Sequence, residues 1–220
     1  MKHICIIKKI IDWDYYEKHF DELVDKLYPQ RKESVLRLKR RKPAIVSLVA
    51  GIMLQDVVLD ECGLLPQEIN VETNDNGKPH IKGYEDFHYN ISHSGERIVL
   101  AYGDCSVGID IERIGEADLK VSRRCFDECE NEYIQTGRFL NEYVDNASVN
   151  QRFFTVWTMK EAYLKYKGTG ISVPFNSFQV NPKCDSVKED TVLLKHFADD
   201  GYLISVCVDN DVENIGFVQR

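Results

Sequence analysis

No run of about 18 apolar residues occurs in this 220-residue chain, so no helix is expected to cross a membrane. The N-terminus, MKHICIIKKI, carries a short apolar stretch, but charge returns at Lys8 and Lys9 and no small-residue cleavage site follows. It reads as a first strand and not as a signal peptide. There is no CxxC pair among the seven cysteines, and Cys125 and Cys129 have no nearby histidine to complete a zinc set. Free thiols in a reducing cytoplasm are the simplest account. Positive charge is also in deficit, and a net charge of −8 argues against general nucleic-acid binding. What remains is a balance of 43% apolar and 29% charged residues, that of a soluble globular protein of one large domain or two small ones.

The apolar periodicity orders the chain. His3 to Ile10 is a first strand. Trp13, Tyr16, Phe20, Leu23, Val24 and Leu27 recur at steps of three and four, which predicts one amphipathic helix ended by Pro29. Arg31 to Lys42 follows, with seven basic residues in twelve, and Ala44 to Leu59 is apolar enough for a central helix. Ile69 to Glu72 reads as a strand before the turn residues Asn74 to Gly77. Phe87 to His93 and Ile98 to Tyr102 make a hairpin with His93 and Ser94 at its tip. The polar break Gly103 to Ser106 is the expected boundary between two halves, 1–104 and 105–220. In the second half Val107 to Ile114 is a strand, Leu119 to Glu142 is helical, Asp145 to Gln151 is a loop, and Phe153 to Lys167 is the strongest helix, stopped by Gly168 and Gly170. Ser177 to Val180, Tyr202 to Val208 and Ile215 to Val218 are further short strands. Each half offers strands around a long helix, without a residue-level repeat. The fold class expected is α+β in two lobes of similar size.

Two stretches concentrate the chemistry. In VGIDIE, Val107 to Glu112, the alternation turns Asp110 and Glu112 to one side and Val107, Ile109 and Ile111 to the other. Residues two apart in a strand stand about 6 to 7 Å apart on one face, so both carboxylates can address one point. A half-exposed strand explains an isolated DxE just as well. The helix WTMKEAYLK, Trp157 to Lys165, shifts the balance: Lys160, Glu161 and Lys165 fall within about 140° of Phe153, Trp157 and Leu164 on a helical wheel. An ordinary surface helix separates charge from its apolar stripe. Unpaired buried charge is costly, and a metal with a polyanionic ligand would satisfy Glu161 and both lysines together. Three carboxylates without histidine or thiolate suit magnesium, which takes its remaining ligands from water and substrate phosphates. Phosphoryl or pyrophosphate chemistry is the implied class. Asn90 to Gly95, NISHSG, adds short donors around a histidine, and Lys78 in the turn NGKP is either a phosphate contact or a solvated turn lysine.

Together these residues resemble the paired signatures of the Sfp-type 4'-phosphopantetheinyl transferases, (V/I)GxD(I/V)E and (F/W)(S/C/T)xKE(A/S)xxK, with NGKP and FHYNISHSG similar to two further family motifs in the same order. The resemblance spans about residues 29 to 180. It implies two α/β lobes related by a pseudo-twofold axis, a monomer, with coenzyme A bound in the cleft between them. It implies transfer of 4'-phosphopantetheine from coenzyme A to a serine of an apo acyl or peptidyl carrier protein, releasing adenosine 3',5'-bisphosphate. By the same resemblance Asp110, Glu112 and Glu161 bind magnesium on the pyrophosphate, and Glu161 is the general base, directly or through a metal-bound water. Lys160 and Lys165 contact phosphates and stabilise the leaving group; Ser92 and His93 lie near the coenzyme A phosphates; Gly77, Lys78 and Pro79 touch the adenine; Trp157 packs the metal helix against its lobe. Arg31 matches the first of two basic positions that reach the 3'-phosphate. Ser34 stands at the second, and Val46 or Ser47 at a later arginine position, which leaves Arg37, Arg40, Arg41 and Lys42 to compensate.

Two other readings fit parts of the sequence. A magnesium-dependent phosphohydrolase or nuclease uses the same acidic cluster with water and no carrier. A non-catalytic module would dock the basic run on nucleic acid or an acidic protein and would not need the carboxylates. The transferase accounts for both features, since carrier domains are usually acidic.

Overall fold

Two long helices, each laid on a sheet, organise the chain in the computed structural model, which describes residues 2–170 and 173–219. The first part runs β1 (Lys2–Ile10), α1 (Trp13–Lys18), α2 (Phe20–Asp25), α3 (Pro29–Leu36), α4 (Arg41–Cys62), a 3-10 turn at Pro66–Glu68, β2 (Val71–Thr73), β3 (Pro79–Ile81), β4 (His88–Ser94) and β5 (Arg97–Gly103). The second runs β6 (Val107–Arg113), α5 (Leu119–Cys125), α6 (Glu128–Thr136), β7 (Arg138–Phe139), β8 (Glu142–Tyr143), α7 (Val149–Lys167), a 3-10 turn at Phe175–Ser177, β9 (Val180–Asn181), β10 (Ser186–Val187), β11 (Val192–Asp199), β12 (Tyr202–Asp209) and β13 (Val212–Val218). Among the described residues the larger sheets have the orders β13-β1-β5-β4 and β11-β12-β6. The fold is α+β.

The sequence explains the two long helices. α4 buries ten residues, among them Leu48, Val49, Leu54 and Val57, and ends where Gly63 takes a left-handed φ of 71°. α4 is long and apolar enough to cross a membrane, yet its apolar residues are packed inside the protein against α1, α2, α3 and β5. α7 begins at Ser148, whose hydroxyl accepts from the Gln151 amide while the Gln151 side chain returns to the Ser148 amide, and it ends at Gly168 with φ 64°. A core forms around each helix, and a third lies between the sheets, where Ile4, Ile6, Val99 and Ala101 meet Val107, Ile109, Ile111, Ile204 and Val206. All seven cysteines are free.

Several expectations need correction. The stripe from Trp13 to Leu27 is two short helices, because the backbone at His19 leaves helical geometry with φ −105° and ψ 14°. Leu119 to Glu142 is α5, α6 and the β7–β8 hairpin; Asp127 caps α6 and forces the break. α7 starts at Val149, four residues before the expected Phe153. β11, unread in the sequence, pairs along its whole length with β12. The expected second unit, 105–220, does not keep to itself: β13 crosses back and runs parallel to β1, completing the first sheet.

Candidate active site between β4, β6 and α7

The edge strands β4 and β6 meet side by side, and the side chains of β4 close the seam. Asn90 Oδ1 accepts from the Ile109 amide at 2.8 Å, and Ser94 Oγ accepts from the Arg113 amide at 3.0 Å. Ser92 Oγ donates to Asp110 Oδ1 at 2.8 Å, and Ser94 Oγ donates to Glu112 Oε2 at 2.7 Å. The pleat thus sends residues 90, 92 and 94 to the seam. Ile91 and His93, between them, line the neighbouring cleft.

α7 lies across β6 at closest approach over Gly108, where a Cβ would run into the carbonyl oxygen of Ala162 and the amide of Tyr166. Thr158, on the same helical side, shares a hydrogen bond of 2.7 Å with Ser205 of β12. That packing carries Glu161 and Lys165 to the carboxylates of β6. Lys165 Nζ donates to Asp110 Oδ1 at 2.6 Å and to Ser92 Oγ at 3.0 Å. Asp110 is 4% exposed, and its second oxygen, Oδ2, is buried with no hydrogen-bond partner. Burial raises the Asp110 carboxyl above its ordinary range, against the opposing pull of Lys165 and Ser92. Burial also raises Glu112, with the Ser94 bond opposing it. Glu161 is raised by burial first and then by the charges of Asp110 and Glu112, so the three carboxylates feel one another. Among the described residues no three such side chains are already gathered as a metal-binding group. The donor set nevertheless fits a hard cation: an orphaned, buried carboxylate oxygen on Asp110 with two further carboxylates in electrostatic contact.

Beside the seam opens a cleft of about 900 Å³, walled by Arg31 of α3, by Lys42, Pro43, Val46, Ser47 and Ala50 of α4, and by Tyr89, Ile91 and His93 of β4. A smaller hollow of about 270 Å³ lies between the turn Asn76 to Pro79 and Glu161, Leu164 and Lys165 of α7; Asn90 and Pro79 line both.

Comparison with known proteins gives the family of the chain. The family model described as the 4'-phosphopantetheinyl transferase superfamily matches residues 106–207, and the model of the 4'-phosphopantetheinyl transferase N-terminal region matches residues 11–104. The 4'-phosphopantetheinyl transferase gsp of Aneurinibacillus migulanus is 34% identical over 176 residues, covering 80% of this chain and 69% of that protein. A 4'-phosphopantetheinyl transferase of Bacillus subtilis is 29% identical, covering 85% and 84%, and the 4'-phosphopantetheinyl transferase Sfp of Bacillus subtilis (strain 168) is 27% identical, covering 81% and 80%. The chain belongs to the 4'-phosphopantetheinyl transferases.

Within this transferase the expected site residues divide. Asp110, Glu112, Glu161 and Lys165 come together, and Gly77, Pro79, Arg31 and His93 line the two hollows beside them. The imidazole pKa of His93 is lowered by partial desolvation and by the charge of Lys165. Ser92 is committed to Asp110 and Lys165, because strand alternation turns it away from the cleft face that holds His93. Lys160 is a correction. Its side chain is fully buried on the far flank of α7, with Nζ 2.8 Å from Glu130 of α6 and 2.7 Å from the carbonyl oxygens of Phe175 and Phe178. It lines neither hollow. Lys78 lines the smaller hollow with Gly77 and Pro79, while its Nζ donates to Tyr166 O at 2.8 Å and to Ser106 Oγ and Val107 O at 3.1 Å each, tying the turn to the end of α7 and the start of β6. Burial lowers its pKa to about 8. Trp157 is structural as expected, its ring centroid 5.3 Å from Phe175 and 6.0 Å from Phe153. The sequence reading missed Gly108, Asn90 and Ser94. A glycine inside an otherwise apolar strand was the available signal for the first, and the period-two spacing of short polar residues in NISHS for the others.

Proposed function

We propose that this transferase moves the 4'-phosphopantetheine arm of coenzyme A to a serine hydroxyl of an apo acyl or peptidyl carrier protein at the β4–β6–α7 site, with magnesium as its metal. The observation that carries the reading is the buried, unpartnered Oδ2 of Asp110 beside Glu112, Glu161 and Lys165. Three carboxylates against one lysine leave this end of the cleft negative, and a pyrophosphate would be repelled there without a divalent cation. Asp110, Glu112 and Glu161 would hold the ion, which when bound neutralises the pyrophosphate and orients it.

The residues of the chain supply the rest. The serine oxygen forms a bond to the phosphorus that bears the pantetheine arm, and the bond from that phosphorus to the oxygen bridging to the nucleotide breaks. Adenosine 3',5'-bisphosphate leaves. Glu161, which lines the smaller hollow beside Lys165, receives the serine proton. Lys165, 2.6 Å from Asp110, places a positive charge beside the departing oxygen. Gly77 and Pro79 offer backbone and a flat ring edge to the nucleotide base, and Arg31 and His93 face its phosphate. Both walls of the cleft come from one chain, which supports a monomer as the working unit, and seven free thiols support the cytoplasm as its compartment.

The test is to incubate the protein with coenzyme A, magnesium and several unrelated apo carrier proteins, and to weigh the carriers intact. One carrier gaining a phosphopantetheine mass is the expected result; all remaining unmodified would count against the activity. Asp110→Ala should abolish the gain with an unchanged circular-dichroism spectrum, and transfer by that variant would refute the metal assignment.

A further inference from the structure

Coenzyme A carries negative charge in two places, the pyrophosphate and the phosphate monoester on the ribose. The carboxylate end of the cleft addresses the first. The opposite wall is built differently, and its cations are distinguished by what they are paired with. Along the basic run Lys32 is paired with Asp25, Arg37 with Glu33, and Arg41 with Glu17. Arg31 and Lys42 line the cleft instead. The partners of Arg31 are hydroxyls, Tyr28 at 3.1 Å and Ser47 at 3.4 Å, which leave its charge uncompensated. Among the described residues Lys42 forms no ion pair, and its Nζ stands 5.7 Å from the centroid of the Trp13 ring, which also lines the cleft.

Two features make this corner favourable to an anion. Lys42 sits in the first turn of the 22-residue α4, whose N-cap position, Arg40, makes no side-chain cap, so no capping side chain offsets the positive end of that helix. Val46 and Ser47, one turn further along the same wall, contribute no charge. Among the residues that line the cleft the fixed positive charges are those of Arg31 and Lys42, with one carboxylate, Glu96, beyond His93.

Taking the transferase reading as its basis, we propose that Lys42, poised over Trp13 at the mouth of the cleft, is the residue by which this chain selects the ribose phosphate monoester of coenzyme A, acting with Arg31. Ser34, expected at one basic position, takes no part, since its hydroxyl is turned back to the Gln30 carbonyl of its own helix at 2.8 Å. Arg37, Arg40 and Arg41 take no part because none of them lines the cleft, and Arg37 and Arg41 are paired with glutamates outside it.

Calorimetric titration of the whole protein with coenzyme A and with 3'-dephospho-coenzyme A, in magnesium, tests this. The wild type should prefer coenzyme A. Lys42→Ala should lose about tenfold in affinity for coenzyme A, the size of one charge-assisted phosphate contact, with no more than about twofold change for the dephospho form. Lys42→Arg should keep the preference, and Arg37→Ala, which removes an equal charge from the same run outside the cleft, should behave as wild type. An equal loss for both ligands in Lys42→Ala, no loss at all, or the same loss in Arg37→Ala overturns the assignment of Lys42. A wild type that binds neither ligand overturns the transferase reading beneath it, which is a separate result.

Discussion

Replacing Lys160 by alanine separates a structural lysine from a catalytic one. The ammonium is fully buried, 2.8 Å from a Glu130 carboxylate that is itself fully buried. It also holds the carbonyls of Phe175 and Phe178 and stands 4.3 Å from the Phe178 ring centroid. Burial pushes the pair toward neutrality, Lys160 downward and Glu130 upward, and their mutual attraction opposes it. Removing one member of such a pair costs about 3 to 5 kcal/mol, because the other charge is left buried. Two carbonyls also lose their donor, and these costs overlap with the first, so about 4 kcal/mol is the working figure. With a urea slope of about 2.5 kcal/mol per molar for a chain of this size, the unfolding midpoint should fall by about 1.6 M. The assay is urea denaturation followed by circular dichroism, with kcat measured at a temperature where the variant is folded. Lys160→Ala should lose stability and keep kcat within about threefold. The double variant Lys160→Met with Glu130→Gln should recover a good part of the loss, since a neutral pair needs no partner charge. A Lys160→Ala protein with an unchanged midpoint and a kcat reduced by orders of magnitude would refute the placement of this side chain.

Lys78 gives a pH signature. Its folded pKa lies at about 8 against an ordinary 10.5, so between those values the unfolded chain holds the proton and the folded chain does not. Stability from this group therefore rises with pH across that window, by about 1.4 kcal/mol per unit and about 3 kcal/mol in all. Wild type should gain on Lys78→Met between pH 7.5 and 10 in paired urea titrations, and a difference that stays flat would show that the ammonium is not buried. Gly108→Ala should destabilise by about 3 kcal/mol or more, since the new methyl meets the backbone of α7, which cannot swing aside as a side chain would; a melting temperature equal to wild type would contradict the close packing of β6 under α7. Chelation should stop transfer and added magnesium restore it, and turnover persisting in excess chelator would sink the metal reading.

Much of this was legible in the sequence because the strongest elements are locally over-determined. VGIDIERI alternates, α7 is periodic, and Gly63 and Gly168 stop helices where a left-handed residue is required. Two misplaced boundaries also had signals: Asp127 with Glu130, and Ser148 with Gln151, are capping boxes that mark the starts of α6 and α7. The break at His19 has no such mark, since neither glycine nor proline stands there and the packing of Tyr16 and Phe20 into the core sets the turn. Lys160 shows the limit of a helical wheel. The wheel set Lys160 and Glu161 on the flank that carries Trp157 and Leu164, and adjacent residues differ by only about 100°. It could not show that α6 covers one part of that flank while the other opens to the cleft. That distinction depends on Glu130, thirty residues away in sequence. The return of β13 to β1 is likewise a contact between the two ends of the chain.

The seam between β4 and β6 ties catalysis to architecture. Asp110 Oδ1 receives one bond from Ser92 of the first sheet and one from Lys165 of α7, so the aim of its free Oδ2 is set by both halves together. Asn90 and Ser94 fix the register on either side, each accepting from a backbone amide that an edge strand would otherwise leave to water. A ligand that engages Oδ2 must therefore bind the assembled seam better than the separated halves, and by mass action it stabilises the assembly by RT ln(1 + [L]/Kd), about 2.7 kcal/mol at a hundredfold excess over Kd. The same coupling constrains the chain's chemistry. Exchanging Ser92 for a side chain that cannot hold Asp110 would loosen the Asp110 carboxylate and the junction of the sheets in one step. The short polar residues of NISHS are thus held to their identities by the seam, whereas Ile91 and His93 line the cleft without a seam bond to hold them.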